Sequence, residues 1–133
     1  MKKLLTIAAL LLLASPALAT DGVRVIDGDT IQLNGMPIRL LGIDTPETLR
    51  PHCANERALG LKAKERMIEL LDGAEVTYEA SNELEPWGRV LATVYANGVD
   101  VGQKLYDEGL ALYWARGPKA KAARIAIWCG PTK

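Results

Sequence analysis

The Asn-Gly pair at residues 34–35 constrains the fold of this chain more than any other short segment. It separates TIQL, residues 30–33, from MPIRLLGID, residues 36–44, and both segments have the composition of strands. Asn-Gly between two such segments is the strongest short signal for a two-residue β-hairpin. GVRVID, residues 22–27, precedes them and alternates apolar and polar residues. We therefore expect three successive antiparallel strands joined by tight turns.

A long amphipathic helix is predicted over residues 54–71, after a loop at residues 45–53 that contains two prolines. Apolar residues recur at spacings of four, four and three from Leu59 to Leu70, which places them on one face. Gly73 follows as the expected C-terminal cap.

Two further strands and two short helices are predicted after this helix. The strands are EVTYEA at residues 75–80 and RVLATVYA at residues 89–96, and the second ends at another Asn-Gly pair. Asp100 is the expected N-cap of a helix that reaches Glu108. Pro118 is expected in the first turn of a last helix.

The order of these elements is not the strand–helix alternation of a parallel sheet. Small sets of strands of this kind commonly close into a partly open barrel, and the OB-fold is the five-stranded case. By pattern alone, the OB-fold is one candidate among several.

The first nineteen residues have the features of a secretory signal peptide. Lys2 and Lys3 form a basic start, an apolar run follows, and Ala17-Leu18-Ala19 supplies the cleavage pattern. The apolar run is shorter than the ~20 residues that a membrane span needs. We therefore expect residues 1–19 to be a signal peptide. Residues 20–133 would be one exported domain, periplasmic or secreted, with no membrane segment in its mature form.

The charge of the expected mature chain argues against nucleic-acid binding over its whole surface. Loss of Lys2 and Lys3 leaves 14 basic against 16 acidic side chains, a net charge of −2. Proteins that bind nucleic acid over a broad surface are strongly basic. A polyanionic ligand would have to be bound locally, by a few arginines or a metal ion.

Cys53 and Cys129 are the two cysteines of the chain. In an exported protein such a pair most simply forms a disulfide, with free thiols as the alternative. The single histidine, His52, leaves a zinc site with too few ligands, and we interpret it as a loop residue.

Two acidic segments adjoin the predicted strands. Asp27 and Asp29 lie in VIDGDT, and Asp44, Thr45 and Glu47 lie in IDTPE. In a meander of three strands, Asp29 and Asp44 can approach one another. Carboxylates with a backbone carbonyl suit calcium, and magnesium or manganese would accept the same ligand types. Taken singly, each acid is better explained as a turn or capping residue.

Arg39 and Arg89 adjoin the strands that carry or face these acids. Guanidinium groups bind phosphate oxygens bidentately and stay charged at any working pH. A cation, two arginines and a spare carboxylate are the parts needed to hydrolyse a phosphodiester. Arg39 as an edge-strand residue and Arg89 as a surface strand start are the alternatives. If these alternatives held, the acids and the arginines would have come together through several independent coincidences.

The segments VIDGDT, RLLGIDTPE and WGR, in this order and separation, closely resemble the thermonuclease (staphylococcal nuclease) family. The resemblance runs from Val23 to Leu112. It implies an α+β, mainly β fold: a five-stranded OB-fold barrel with a central helix after the third strand and one or two short C-terminal helices. It also implies an exported calcium-dependent nuclease that hydrolyses DNA and RNA with little sequence specificity, as a monomer that prefers single strands.

The resemblance implies a calcium site and a residue near it. Asp29 and Asp44 match the calcium carboxylates, and Thr45 matches the residue whose backbone carbonyl binds the ion. Asp27 matches an acid that lies near the metal without having to bind it.

The resemblance also implies three catalytic residues. Arg39 and Arg89 match the two phosphate-binding arginines. Glu47 matches the acid near the attacking water, the proposed general base.

The chain departs from the family pattern in the aromatic residues around the site. Trp87 replaces the tyrosine usual before Gly-Arg, and Tyr113 and Trp114 are further candidates for stacking on a base. The alternative function is a non-catalytic OB-fold module that binds nucleic acid. Family relatives of that kind typically lose the acids and arginines, which this chain retains.

Overall fold

The computed structural model of this protein describes residues 22–83 and 85–130. The predicted signal peptide, residues 1–19, lies outside the described residues. None of the described helices is long and apolar enough to cross a membrane.

The described chain contains eight strands and three helices. The strands are β1 Val23–Asp27, β2 Thr30–Leu33, β3 Met36–Leu40, β4 Ile43–Asp44, β5 Val76–Ala80, β6 Val90–Ala96, β7 Val99–Asp100 and β8 Leu112–Tyr113. The helices are α1 Ala54–Leu71, α2 Val101–Asp107 and α3 Pro118–Cys129.

The three predicted helices are confirmed. The bounds of α1 are those predicted. Asp100 is the N-cap of α2, because its Oδ1 accepts a hydrogen bond of 3.0 Å from the backbone N–H of Gln103. Pro118 lies in the first turn of α3, where its missing N–H removes no helical hydrogen bond.

The main sheet has the strand order β1-β2-β3-β6-β5, and β7 pairs with β6. Its neighbours are antiparallel except β3 and β6, which run parallel. With α1 and α2 packed against this sheet and α3 packed on α1, the mixed α+β class and its OB-like arrangement are confirmed. Among the described residues no pairing joins β1 to β5, so the sheet does not close into the predicted barrel.

Both Asn-Gly pairs form the turns expected of them. Asn34 and Gly35 have φ angles of 50° and 82°, and Asn97 and Gly98 have φ angles of 49° and 78°. Two successive positive φ angles are typical of the type I′ turn, whose twist matches that of the flanking strands.

The third predicted strand, residues 36–44, is wrong as one continuous element. It divides into β3 and β4 at Leu41 and Gly42, because Gly42 has a φ of 78°, which a strand cannot accommodate. Beyond this bend, β4 leaves the main sheet and pairs with β8. The bend therefore turns Asp44 towards the C-terminal part of the chain.

The hydrophobic core lies between the main sheet, α1 and α2. Ile31, Ile38, Met67 and Leu105 are among its fully buried side chains. Helix α1 packs against β1 and α3, and these contacts fix the two chain segments that flank the site.

The disulfide expected between Cys53 and Cys129 is present. It joins the N-cap of α1 to the last residue of α3. Beside it, the Asn55 side chain donates a hydrogen bond of 2.7 Å to the carbonyl of Trp128, which is buried. Helix α3 is thus attached to the start of α1 by a covalent bond and a hydrogen bond.

Candidate active site

The segment VIDGDT forms the bend between β1 and β2. A register shift between Val25 and Asp27 marks a β-bulge, a device that redirects side chains at a strand end. Gly28 is buried, and a Cβ atom on it would lie 2.8 Å from the Cβ of Ala63 in α1. The glycine is therefore needed for close packing of the bend against α1. The bend itself presents Asp29 at the start of β2.

The structure brings Asp29, Arg39 and Asp44 together. Nη2 of Arg39 lies 3.4 Å from Oδ2 of Asp29 and 3.1 Å from Oδ1 of Asp44. Nη1 of Arg39 donates to the carbonyls of Leu40 and Ile43, at 2.9 and 3.1 Å. The guanidinium therefore holds the β3–β4 bend as well as the two acids, and all three charged groups have a partner.

The backbone N–H of Thr45 lies against Asp29, whereas the prediction concerned its carbonyl. Its backbone N–H donates a hydrogen bond of 3.1 Å to Oδ2 of Asp29, and Thr30 Oγ1 donates one of 3.0 Å to Oδ1. Thr45 is buried. Two carboxylates and the backbone of Thr45 thus occupy one small region.

Arg124 of α3 is a site residue that sequence reasoning missed. Its Nε donates a hydrogen bond of 2.8 Å to Oδ2 of Asp44, and its Nη1 donates one of 3.1 Å to the carbonyl of Ala115. Arg124 and Trp128 are the two buried residues of α3. Their spacing of four residues puts an arginine on the buried face of the helix, and this was the signal available in the sequence.

Glu47 and Asp27 are held by residues near the start of α1. Thr48 donates a hydrogen bond of 2.5 Å from Oγ1 to Oδ1 of Asp27. The fully buried Glu56 accepts the backbone N–H of Glu47 at 3.4 Å and also that of His52. Glu56 therefore fixes the loop that carries Glu47, while Glu47 itself remains exposed.

Burial and the charges of neighbouring carboxylates raise the pKa of two site acids. Burial and then the charge of Asp29 raise the pKa of Asp44, against the opposing effect of Arg39. Partial burial and then the charges of Asp29 and Asp27 raise the pKa of Glu47. A bound cation would relieve this repulsion. The oxygen donors of Asp29, Asp44 and Thr45 are those that a hard divalent cation such as calcium prefers, so the residues present fit such an ion.

Arg89 lies beside the acidic cluster but is paired with another residue. Its Nε donates a hydrogen bond of 3.1 Å to Glu85, and Nη2 donates a second one to the same carboxylate. This pairing raises the pKa of Arg89, to which the charges of Asp29 and Glu47 contribute further. The guanidinium of Arg89 therefore faces Glu85.

An open cavity of about 690 Å³ lies next to Arg39. The side chains that line it include Arg39, Glu85, Trp87, Trp114 and Arg116. Two arginines and two indole rings around one cavity can bind a phosphate and stack on a base.

The three aromatic residues predicted to stack occupy different places. Trp87 and Trp114 line the cavity, and they are 80% and 42% exposed. Tyr113 is not among the lining residues, because its ring stacks on Tyr106 with ring centroids 3.9 Å apart. Residues next to each other in an extended segment point to opposite sides, which separates Tyr113 from Trp114.

The charge of the chain is unevenly distributed. From residue 109 to the last residue there are five basic and no acidic side chains: Arg116, Lys119, Lys121, Arg124 and Lys133. The low net charge of the whole chain concealed this basic segment, which supplies Arg116 to the cavity and Arg124 to Asp44.

Comparison with known proteins gives the same family as the site motifs. Residues 37–129 match the family described as Staphylococcal nuclease homologue. Endonuclease YncB of Bacillus subtilis is 37% identical over 94 residues, which are 66% of this chain and 44% of YncB. The SPbeta prophage-derived endonuclease YokF of the same organism is 36% identical over 94 residues, 66% of this chain and 31% of YokF. The thermonuclease of Staphylococcus hyicus is 35% identical over 94 residues, 67% of this chain and 55% of that protein.

The chain spans between about a third and just over half of the length of these relatives. The family match covers the end of β3, β4, all three helices and the segments between them. Because that match includes most of the chain, this protein belongs to the staphylococcal nuclease family.

Proposed function

We propose that this protein is an exported, calcium-dependent nuclease that hydrolyses phosphodiester bonds of DNA and RNA with little sequence preference. The observation that carries the proposal is the position of Arg39. Its guanidinium lies between Asp29 and Asp44 and also lines the cavity. A phosphate bound to Arg39 would therefore lie beside both acids.

In this proposal Asp29, Asp44 and the backbone carbonyl of Thr45 hold the cation. A calcium ion held by these residues would supply positive charge that polarises the phosphate and activates water. Burial and then the charge of Asp29 raise the pKa of Asp44, and the repulsion between these two carboxylates favours cation binding. Magnesium and manganese accept the same ligand types and are the alternatives.

The arginines bind and polarise the phosphate. Arg39 is already held at the site by backbone carbonyls, so its binding geometry is preorganised. Arg89 reaches the phosphate by exchanging the Glu85 carboxylate for phosphate oxygens, which accept the same paired hydrogen bonds.

Glu47 is the proposed general base. Its pKa is raised, and a base is most effective when its pKa approaches the working pH. Its backbone N–H is fixed by Glu56, whereas its carboxylate is exposed to the solvent that supplies water. Asp27 is held by Thr48 and adds negative charge near the site without binding the ion.

Unpaired bases suit the cavity better than paired ones. The indoles of Trp87 and Trp114 are exposed, and stacking on them requires a base whose face is free. We therefore propose single-stranded nucleic acid as the preferred substrate of a monomeric enzyme. The signal-peptide features of residues 1–19 and the Cys53–Cys129 disulfide support export to an oxidising compartment, the periplasm or the medium.

The test is hydrolysis of heat-denatured DNA with calcium, with magnesium and with chelator. The full chain is expressed with its leader and purified with its disulfide formed. We expect cleavage with calcium, none with chelator, and a loss of at least about a hundredfold in Glu47→Gln and in Arg89→Ala. Arg66→Met is the control, because Arg66 pairs with Glu108 on a remote exposed surface.

Absence of cleavage with every metal, from folded and disulfide-bonded protein, would overturn the enzyme proposal. A non-catalytic module that binds nucleic acid would then be the better account. Retention of single-stranded DNA binding in the same sample would support it.

A further inference from the structure

Arg124 reaches the candidate cation site from a helix that carries none of the predicted site residues. Its side chain is only 9% exposed, yet it is charged, and its Nε contacts Asp44 at 2.8 Å. A buried guanidinium that lost its partner would be strongly destabilising. The contact with Asp44 therefore compensates for the burial of the Arg124 charge.

Asp44 is held from two sides. Arg39 donates to Oδ1 at 3.1 Å and Arg124 donates to Oδ2 at 2.8 Å. With one guanidinium on each oxygen, rotation of the carboxylate is restricted. The two arginines therefore fix the directions of the remaining carboxylate lone pairs. A cation would have to bind through these lone pairs.

The two arginines differ in what else they do. Arg39 lines the cavity and is the proposed phosphate ligand, so substrate competes for its guanidinium. Arg124 is not among the cavity-lining residues, and its second contact is the backbone carbonyl of Ala115. If a phosphate accepts the hydrogen bond that Nη2 of Arg39 now donates to Asp44, the hydrogen bond from Arg124 to Asp44 remains.

The position of Arg124 is set by the attachment of α3. Trp128, one turn later, is buried and accepts a hydrogen bond of 2.7 Å from Asn55, and Cys129 is bonded to Cys53. These contacts hold the buried face of α3 against the start of α1. The same face delivers Arg124 to Asp44.

We infer that Arg124 is a positioning residue for the cation site, which orients Asp44 so that its free lone pairs face the ion. This inference rests on the proposed function. Groups that hydrogen-bond a metal ligand orient it, and their loss commonly lowers metal affinity or activity by roughly 10- to 100-fold. A purely structural ion pair between α3 and β4 would instead lower stability and leave the cation affinity of the folded protein unchanged.

The test is calorimetric titration of the full chain with calcium alone, with thermal unfolding in chelator measured on each sample. Arg124→Met removes the guanidinium and keeps an apolar stem, and Arg124→Lys keeps the charge without the paired donors. Arg66→Met is a matched control, because Arg66 Nε also lies 2.8 Å from a carboxylate, that of Glu108, on an exposed surface.

We expect Arg124→Met to weaken calcium binding by about tenfold or more, Arg124→Lys to lie between it and the unsubstituted protein, and Arg66→Met to leave affinity unchanged. If Arg124→Met does not fold, Arg124→Lys decides, since the single lysine nitrogen cannot occupy the separate positions of Nε and Nη1, which contact Asp44 and Ala115. Unchanged calcium affinity in the folded Arg124 variants would overturn this inference alone. Absence of calcium binding by the unsubstituted protein would overturn the calcium site of the proposed function and this inference with it.

Discussion

The side chain of Arg89 donates two hydrogen bonds to the carboxylate of Glu85, four residues earlier in the same loop. The contact lowers the pKa of Glu85, so the acid is ionised at neutral pH. A phosphate that binds Arg89 has to displace this carboxylate, since both ligands use the same donors. Under the proposed function, Glu85 would therefore oppose phosphate binding by Arg89.

Glu85→Gln should lower the KM for single-stranded DNA by about two- to fivefold. This range corresponds to the ~0.5–1 kcal/mol that a partly exposed ion pair contributes. Steady-state kinetics in calcium provide the measurement. Glu83→Gln removes an acid from the same cavity wall and controls for the change in net charge. Equal effects of the two variants would mean that the direct Glu85–Arg89 contact is irrelevant to binding.

Trp114→Ala should raise the KM for single-stranded DNA by about fivefold or more, because base–aromatic stacking contributes ~1–3 kcal/mol. Tyr113→Ala should leave KM unchanged, since the Tyr113 ring lies against Tyr106 and not in the cavity. Comparing the KM values of the two variants shows which of these adjacent side chains contacts the DNA. A similar rise in KM for Tyr113→Ala would contradict the separation of the two side chains.

The raised pKa of Glu47 predicts how stability depends on pH in the absence of metal. The folded protein keeps the Glu47 proton to a higher pH than the unfolded chain, whose ordinary value is 4.5. The stability contributed by this group is therefore present below pH 4.5 and is lost as the pH rises through the higher native pKa.

Urea unfolding in chelator, over a series of pH values, measures this effect. The free energy of unfolding of Glu47→Gln should fall less steeply above pH 4.5 than that of the unsubstituted protein. Parallel curves would show that neither burial nor the neighbouring carboxylates raise the pKa of Glu47.

Replacement of both Cys53 and Cys129 by serine should lower the free energy of unfolding by up to about 4.5 kcal/mol, the chain-entropy value for the loop that the disulfide closes. Serine at position 53 retains an N-cap acceptor for the N–H of Glu56, so the cap is not lost together with the bridge. Urea unfolding of this variant and of the reduced natural protein should give the same midpoint. A loss below about 1 kcal/mol would argue against the chain-entropy account.

Local signals predicted local structure well. The first Asn-Gly turn, the bounds of α1 and the Asp100 cap follow from residues within a few positions of each other. The bend at Gly42 was not predicted, because Gly42 lies in an apolar segment. The positive φ that divides β3 from β4 leaves no trace in the pattern of apolar and polar residues. Closure of the sheet depends on pairing between strands that are far apart in the sequence, and no short segment of this chain predicts such pairing.

The candidate site shows the same limit. Asp29, Arg39 and Asp44 were expected together because they flank successive strands, and they lie together. Arg124 is 80 residues from Asp44, so only the folded chain reveals the contact. The Glu85 pairing of Arg89 was equally hidden, since an acid four residues away in a loop has no fixed position relative to an arginine.

The pairing of β4 with β8 has a consequence for how this protein can vary. Asp44 pairs with Leu112, and two residues later the N–H of Trp114 donates a hydrogen bond of 2.9 Å to the carbonyl of Gly42. The segment that presents the acid and the segment that presents Trp114 therefore form one ribbon. An insertion or deletion there that reshapes the cavity also moves Asp44. Under the proposed function, base preference and reaction rate would then be coupled traits, and selection on one would change the other.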